Sequence, residues 1–299
     1  MLENHGISTT YGNSCLGNCM YFTSLANTYA LAQTYDDGGV SGSLGDYIAI
    51  TSGDANVKCN GQPGSCGPFA DVNIIDSIEA AHLSWKAYME DYPGSGSGSS
   101  YSSGGCFIGL SSSSGHYESN HNPFVYYQDI VNNTSRCSKI TAANGNIPAQ
   151  TTCGTSSNPG TAETDDLFLN ELSNAKSAAN YTFLTPNGID DLHDCSTGDV
   201  SLGNHYLQQL VPKILNSTVF KNTKAALFVT FDETGPFTGT QPYMYTVWAS
   251  HGPSVTKPTY KSTNPYDHFS TLRTIEDNWS LPYLTSNDAT ATNMTEFFQ

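Results

Sequence analysis

Apolar residues fall along the chain in two patterns: short unbroken runs, and stripes spaced at helical intervals. Ser43 opens a helix-like segment over residues 44–52, ended by Gly53. Over residues 72–92, Ile74, Ile75, Ile78, Ala81 and Trp85 predict one amphipathic helix, closed by Pro93-Gly94. Residues 94–105 are almost purely Gly and Ser, and Ser recurs over 111–114. Both stretches read as flexible surface loops, and residues 138–165 are likewise polar and turn-rich. In the second half, residues 181–184 predict a short buried strand, and residues 202–215 a helix that Pro212 can bend. The apolar run over 225–231 is of the kind buried on both faces in a parallel sheet, and 245–249 predicts another strand. A last helix is expected over 268–279. Strands alternating with helices predict an α/β fold, a mostly parallel sheet with helices on both faces. No shift in composition marks a boundary, so one domain is expected over 1–299, with surface insertions at about 94–120 and 138–165.

Composition narrows the partners. Charged residues make up 13% of the chain and the net charge is −16, which argues against nucleic acid and anionic membranes. No apolar run is long enough for a spanning helix. The eight cysteines contain no CxxC pair, which favours disulfides over a structural zinc site. Cys15/Cys19 and Cys59/Cys66 are close enough for local loops, and the pairing of Cys106, Cys137, Cys153 and Cys195 stays open. Asn132, Asn133, Asn180, Asn216, Asn278 and Asn293 stand in Asn-x-Ser/Thr, which with the cysteines points to a secreted or cell-surface protein. The opening Met1-Leu-Glu-Asn-His5 is not a signal peptide.

In open α/β sheets the site lies beyond the carboxyl ends of the strands. Three clusters of metal-type ligands are expected in such loops: Glu3, Asn4 and His5; Asp190, Asp191, His193 and Asp194; and Asp232 with Glu233. Each alone could equally cap a helix or satisfy a turn. Ser43 is the candidate nucleophile, because a helix start favours a phosphate and an alkoxide; its ordinary alternative is an N-cap. His82, His205, His116 and His251 carry no expected role, and Trp85, Trp248 and Trp279 read as core.

At these positions the sequence resembles the phosphoesterase family of secreted acid phosphatases and bacterial phospholipases C, within the alkaline phosphatase superfamily. The matching blocks are Met1-Leu-Glu-Asn-His5, Ser43-Leu-Gly-Asp-Tyr-Ile-Ala-Ile-Thr-Ser-Gly53, Ser84-Trp-Lys-Ala-Tyr-Met-Glu90 and His121-Asn-Pro-Phe124. They continue with Thr185-Pro-Asn187, Asp191-Leu-His-Asp-Cys195, Thr230-Phe-Asp-Glu233 and the stretch from Tyr266 to Asp277. The resemblance implies one divalent metal ion held by Glu3, Asn4, Ser43, Asp232 and Glu233. It makes Ser43 the nucleophile, His121 and His193 the contacts to phosphate oxygens, and His268 a histidine near the site. Asp194 would orient His193 or join the metal shell. It implies hydrolysis of small phosphate monoesters through a phosphoserine, with an acidic optimum while the histidines stay protonated. Two departures stand out. Only Met1 and Leu2 precede Glu3, so the family's hydrophobic first strand is expected to be missing. The nucleophile block reads Ser43-Leu-Gly-Asp46 where the family has Ser/Thr-x-Pro-Asn. The alternatives are a phosphodiesterase or phospholipase C, disfavoured by polar Gly/Ser loops, and a non-catalytic cell-surface protein that retains the fold.

Overall fold

The computed structural model describes residues 1–299 apart from 16, 112–115, 146–151, 154–164, 196–198, 236–241 and 253–254. The strands are β1 Ala30–Tyr35, β2 Trp85–Met89, β3 Ile140–Ala142, β4 Tyr181–Thr185, β5 Leu227–Val229, β6 Met244–Ala249 and β7 Lys261–Ser262. They form two sheets, ordered β3-β2-β4 and β5-β6-β1-β7. Pairings β2–β3, β2–β4 and β1–β7 are parallel, while β1–β6 and β5–β6 are antiparallel, so the α/β fold holds and parallel pairing predominates. The principal helices are α1 Met20–Thr28, α2 Ser43–Ser52, α3 Ile74–Ala80, α4 Asp199–Leu215 and α5 His268–Trp279.

The chain start sits between the two sheets. Leu2 N–H donates to the Thr230 carbonyl at 2.9 Å, and its own carbonyl accepts from Asp232 N–H at 2.9 Å, a parallel bridge beside Phe231. On the other side the Met1 ammonium donates to the Leu184 carbonyl at 2.8 Å.

Helix α2 runs as expected and stops at Gly53, whose φ of 75° is the left-handed cap that glycine adopts without strain. The single helix expected over 72–92 is instead a helix followed by a strand. Asn73 and Asp76 close a capping box at the start of α3. The chain then turns through His82 at φ 58° and enters β2, the central strand of its sheet. Trp85, Ala87, Tyr88 and Met89 are buried there, so tertiary packing overrides a spacing that fits both periods. Helix α1 and strand β1 went unforeseen because their apolar residues are interleaved with Thr, Ser, Asn and Gln.

The Gly/Ser stretch is tied down rather than free. Cys106 bonds Cys137, Ser102 Oγ donates to the Val131 carbonyl at 2.6 Å, and Gly104 N–H donates to the same oxygen at 2.8 Å. A Cβ on Gly104 would lie 2.6 Å from the Asn133 nitrogen, so only glycine allows this approach. Most of 111–114 and much of 138–165 lie outside the described residues. Both expected local disulfides form, and Cys153–Cys195 completes a set of four that fits an extracellular protein. Among the described residues no helix is long and apolar enough to cross a membrane.

Candidate active site

The residues singled out in the sequence converge at the carboxyl ends of the strands. Leu2 delivers Glu3 and Asn4, the turn after β4 delivers Asp191 to Asp194, and the chain beyond β5 delivers Asp232 and Glu233. Ser43 is the first residue of α2, and His121 ends the short turn Ser119–His121. Ser43 is not a cap: Gly42 holds that position, and Ser43 Oγ donates to Glu3 Oε2 at 3.1 Å. The amide of Leu44 is satisfied by Asn60 Oδ1 at 3.1 Å, which leaves the serine hydroxyl free of capping duty.

Glu3 is fully buried and also accepts from the Tyr47 hydroxyl at 2.8 Å. Asn4, at φ 62°, donates its N–H to Asp232 Oδ1 at 2.9 Å. A Cβ on Gly235 would fall 2.4 Å from Asn4 Oδ1, so glycine there makes room for that side chain. Asp232 and Asp46 are fully buried too, and Asp232 Oδ2 and both oxygens of Asp46 have no hydrogen-bond partner. Burial, then the charges of Asp232 and Asp191, hold the Glu3 carboxyl well above the usual carboxylate range. Burial, then Asp232 and Glu233, push Asp46 up to about 10. Burial and Asp232 push Glu233 up to about 7, although it accepts from the Gly42 amide. So many buried acids with unpaired oxygens form a cavity that binds either protons or a cation. Single ligand atoms of Glu3, His121 and Asp191 lie within 4.8 Å of one another, close enough to share one ion.

The histidines divide by environment. His121 is buried, donates from Nδ1 to Asp191 Oδ2 at 3.1 Å, and stacks on Tyr47 with ring centroids 5.7 Å apart. Its Nε2 lies 3.5 Å from Glu3 Oε2 and has no hydrogen-bond partner. His193, half-exposed, meets His121 edge to face at 5.1 Å. Its Nδ1 donates to Asp194 Oδ1 at 3.0 Å, and that bond raises its pKa to about 9. The same bond holds Asp194 below the usual carboxylate range. His116, for which the sequence names no partner, pairs with the other Asp194 oxygen at 2.9 Å. His268 is buried and neutral in character: its Nε2 donates to the Asp232 carbonyl at 2.6 Å, and burial lowers its pKa.

The residues given roles at the site therefore lie at or beside one locus, whereas Asp190, expected in the same ligand cluster, joins Glu90 and Asp165 instead. Tyr47 and Asn60 were missed because a tyrosine inside a helix and an asparagine in a loop carry no spacing signal. Asp191 stood in a noticed cluster without a role of its own. A cavity of about 730 Å³ lies elsewhere, between β4 and β5.

The probable acid phosphatase of Kluyveromyces lactis is 25% identical over 268 residues, covering 90% of this chain and 54% of that protein. The acid phosphatase of Aspergillus fumigatus is 25% identical over 244 residues, covering 80% of this chain and 46% of its own. The chain thus spans about half the length of the curated relatives it matches. In fold it is similar to the crystal structure of a protein in the alkaline phosphatase superfamily from Vibrio parahaemolyticus. That likeness has a TM-score of 0.59 at 12% identity, and covers 96% of this chain and 67% of the other. The profile of the Phosphoesterase family matches residues 15–282, and the chain belongs to that family.

Proposed function

We propose that the chain hydrolyses phosphate monoesters as an acid-phosphatase-type enzyme, with Ser43 as nucleophile. The observation that carries this reading is the Ser43 hydroxyl, released from capping and hydrogen-bonded to buried Glu3 beside the unpaired oxygens of Asp232 and Asp46. The donor set is rich in oxygen and suits one hard or borderline divalent ion, whose identity it does not choose. Glu3, Asn4, Ser43, Asp232 and Glu233 would hold it, and when bound it lowers the pKa of the serine hydroxyl. Ser43 Oγ attacks phosphorus in line, the new O–P bond forms as the ester O–P bond breaks, and the alcohol departs with a proton. Water then cleaves the phosphoserine. His121 Nε2 and the cationic His193 face the phosphate oxygens, where charge gathers. Asp191 and Asp194 orient the two histidines, and His268 holds the backbone of Asp232. The Asp194 bond keeps His193 charged past neutrality, so that histidine alone does not confine activity to acid. Four disulfides and the exposed sequons at Asn132, Asn133, Asn180, Asn216 and Asn278 favour a secreted or surface-associated glycoprotein.

The test is hydrolysis of a chromogenic phosphate monoester and its matching diester across pH 3–9, with and without chelator. Chelator-sensitive monoester turnover is expected. Preference for the diester would establish phosphodiesterase chemistry instead, and no turnover by folded protein with any divalent ion would leave a non-catalytic surface protein.

A further inference from the structure

Asn60 stands outside the blocks that carry the family resemblance, on an exposed loop closed by Cys59–Cys66. Its side chain nevertheless meets both halves of the candidate site. Asn60 Oδ1 accepts from the Leu44 amide at 3.1 Å and from Asn120 Nδ2 at 3.3 Å. Leu44 follows Ser43, and Asn120 precedes His121. One oxygen therefore links the residue beside the nucleophile to the residue beside the imidazole whose Nε2 has no hydrogen-bond partner.

The local chemistry explains why this oxygen comes from elsewhere in the chain. A helix leaves its first amides without internal partners. Gly42 holds the cap position of α2 and has no side chain with which to bond them, while its φ of 81° is a conformation that favours glycine. The acceptor is supplied instead from 16 residues away. The loop that supplies it is docked on the segment that carries His121. The Tyr126 hydroxyl donates to the Gly61 carbonyl at 2.7 Å, and the Phe69 amide donates to the Tyr126 carbonyl at 2.6 Å. Thr185 Oγ1 donates to the His121 carbonyl at 3.1 Å, so β4 holds the same segment. With the disulfide closing the loop, an exposed side chain is kept in one place at little further cost in entropy.

We propose that Asn60 is a positioning residue. Its carboxamide oxygen holds Ser43 and His121 at a fixed separation, so that Oγ and Nε2 meet one phosphoryl group together. The inference rests on Ser43 as the nucleophile. A cap that served only the fold would change stability alone, whereas misplacing reacting groups by about 1 Å can slow a reaction about a hundredfold.

The experiment compares Asn60→Ala and Asn60→Asp with the parent chain. It measures kcat and KM on a chromogenic phosphate monoester, thermal unfolding, and amide exchange at Leu44. Asn60→Ala is expected to lower kcat at least about tenfold with KM within about threefold, and to speed exchange at Leu44 at least about tenfold. Asn60→Asp keeps an acceptor oxygen for both donors and is expected to recover most of both losses. Full kcat in Asn60→Ala, even with a lower melting temperature, reduces Asn60 to a cap and overturns the proposal. A loss equally large in Asn60→Asp also overturns it, because the amide NH2 would then be the working group. Unchanged exchange at Leu44 in Asn60→Ala overturns it whether or not the protein hydrolyses the ester. Ser43→Ala in the same assay separates the two readings. Undiminished turnover there overturns the nucleophile, whereas loss there with full kcat in Asn60→Ala overturns the role of Asn60 alone.

Discussion

Around Ser43 the carboxylates of Glu3, Asp46 and Asp232 are fully buried, and around Glu90 so are those of Glu90 and Asp165. Burial drives both groups toward the protonated state: Glu90 is held well above its ordinary range by burial and by Asp165, and Asp190 beside it is pushed up to about 8. The surroundings differ. Glu90 accepts from the Asn187 amide at 2.9 Å and Asp165 from the Tyr206 hydroxyl at 2.5 Å. The cluster pins the turn that carries Asp191. Glu90 Oε1 lacks a partner just as oxygens of Asp46 and Asp232 do, and the first group differs in carrying the proposed nucleophile, Ser43, bonded to Glu3, and the unpaired Nε2 of His121. Buried acids alone do not make a site.

The largest expected difference between the clusters is Ser43→Ala, which should lower monoester turnover by at least about a thousandfold with far-ultraviolet dichroism unchanged. Next, Asp232→Asn should cost about a hundredfold in rate, whereas Glu90→Gln should stay within about threefold. The order reverses for stability. A carboxyl held above its ordinary value stabilises the fold at low pH, and that contribution is lost as pH rises through the folded value. The melting temperature should therefore fall as pH climbs from about 4 through about 8, where Asp190 ionises, and Glu90→Gln should flatten the slope. A rate loss in Glu90→Gln as large as in Asp232→Asn would erase the distinction.

A smaller effect belongs to Asp194→Asn. Removing the bond that raises His193 to about 9 lets its pKa fall toward 6.5, so the alkaline limb of kcat/KM should move down by about one to two pH units. Least of all, Tyr47→Phe removes one hydroxyl from Glu3 and should slow turnover about three- to tenfold.

That the candidate residues gather at one place was largely legible in the sequence, because they follow strands or open helices and so sit in short recognisable blocks. Ser43 at the head of α2 and Asp232-Glu233 beyond β5 are of this kind. What stayed hidden depends on contacts across long separations. Tyr47 reaches Glu3, His116 reaches Asp194, and Asn60 caps a helix 16 residues away. Strand β2 was read as helix because Trp-Lys-Ala-Tyr-Met fits both periods, and only its place between β3 and β4 decides. The two acid clusters also look alike in sequence, since the separation that matters is which side chains fold beside them.

The most direct test is rapid acid quench during monoester turnover, with the modified residue located by mass spectrometry. One phosphoryl group is expected on Ser43, forming faster than steady-state turnover and absent when chelator is added first. A phosphoryl group on another side chain, or undiminished turnover by Ser43→Ala, would contradict it.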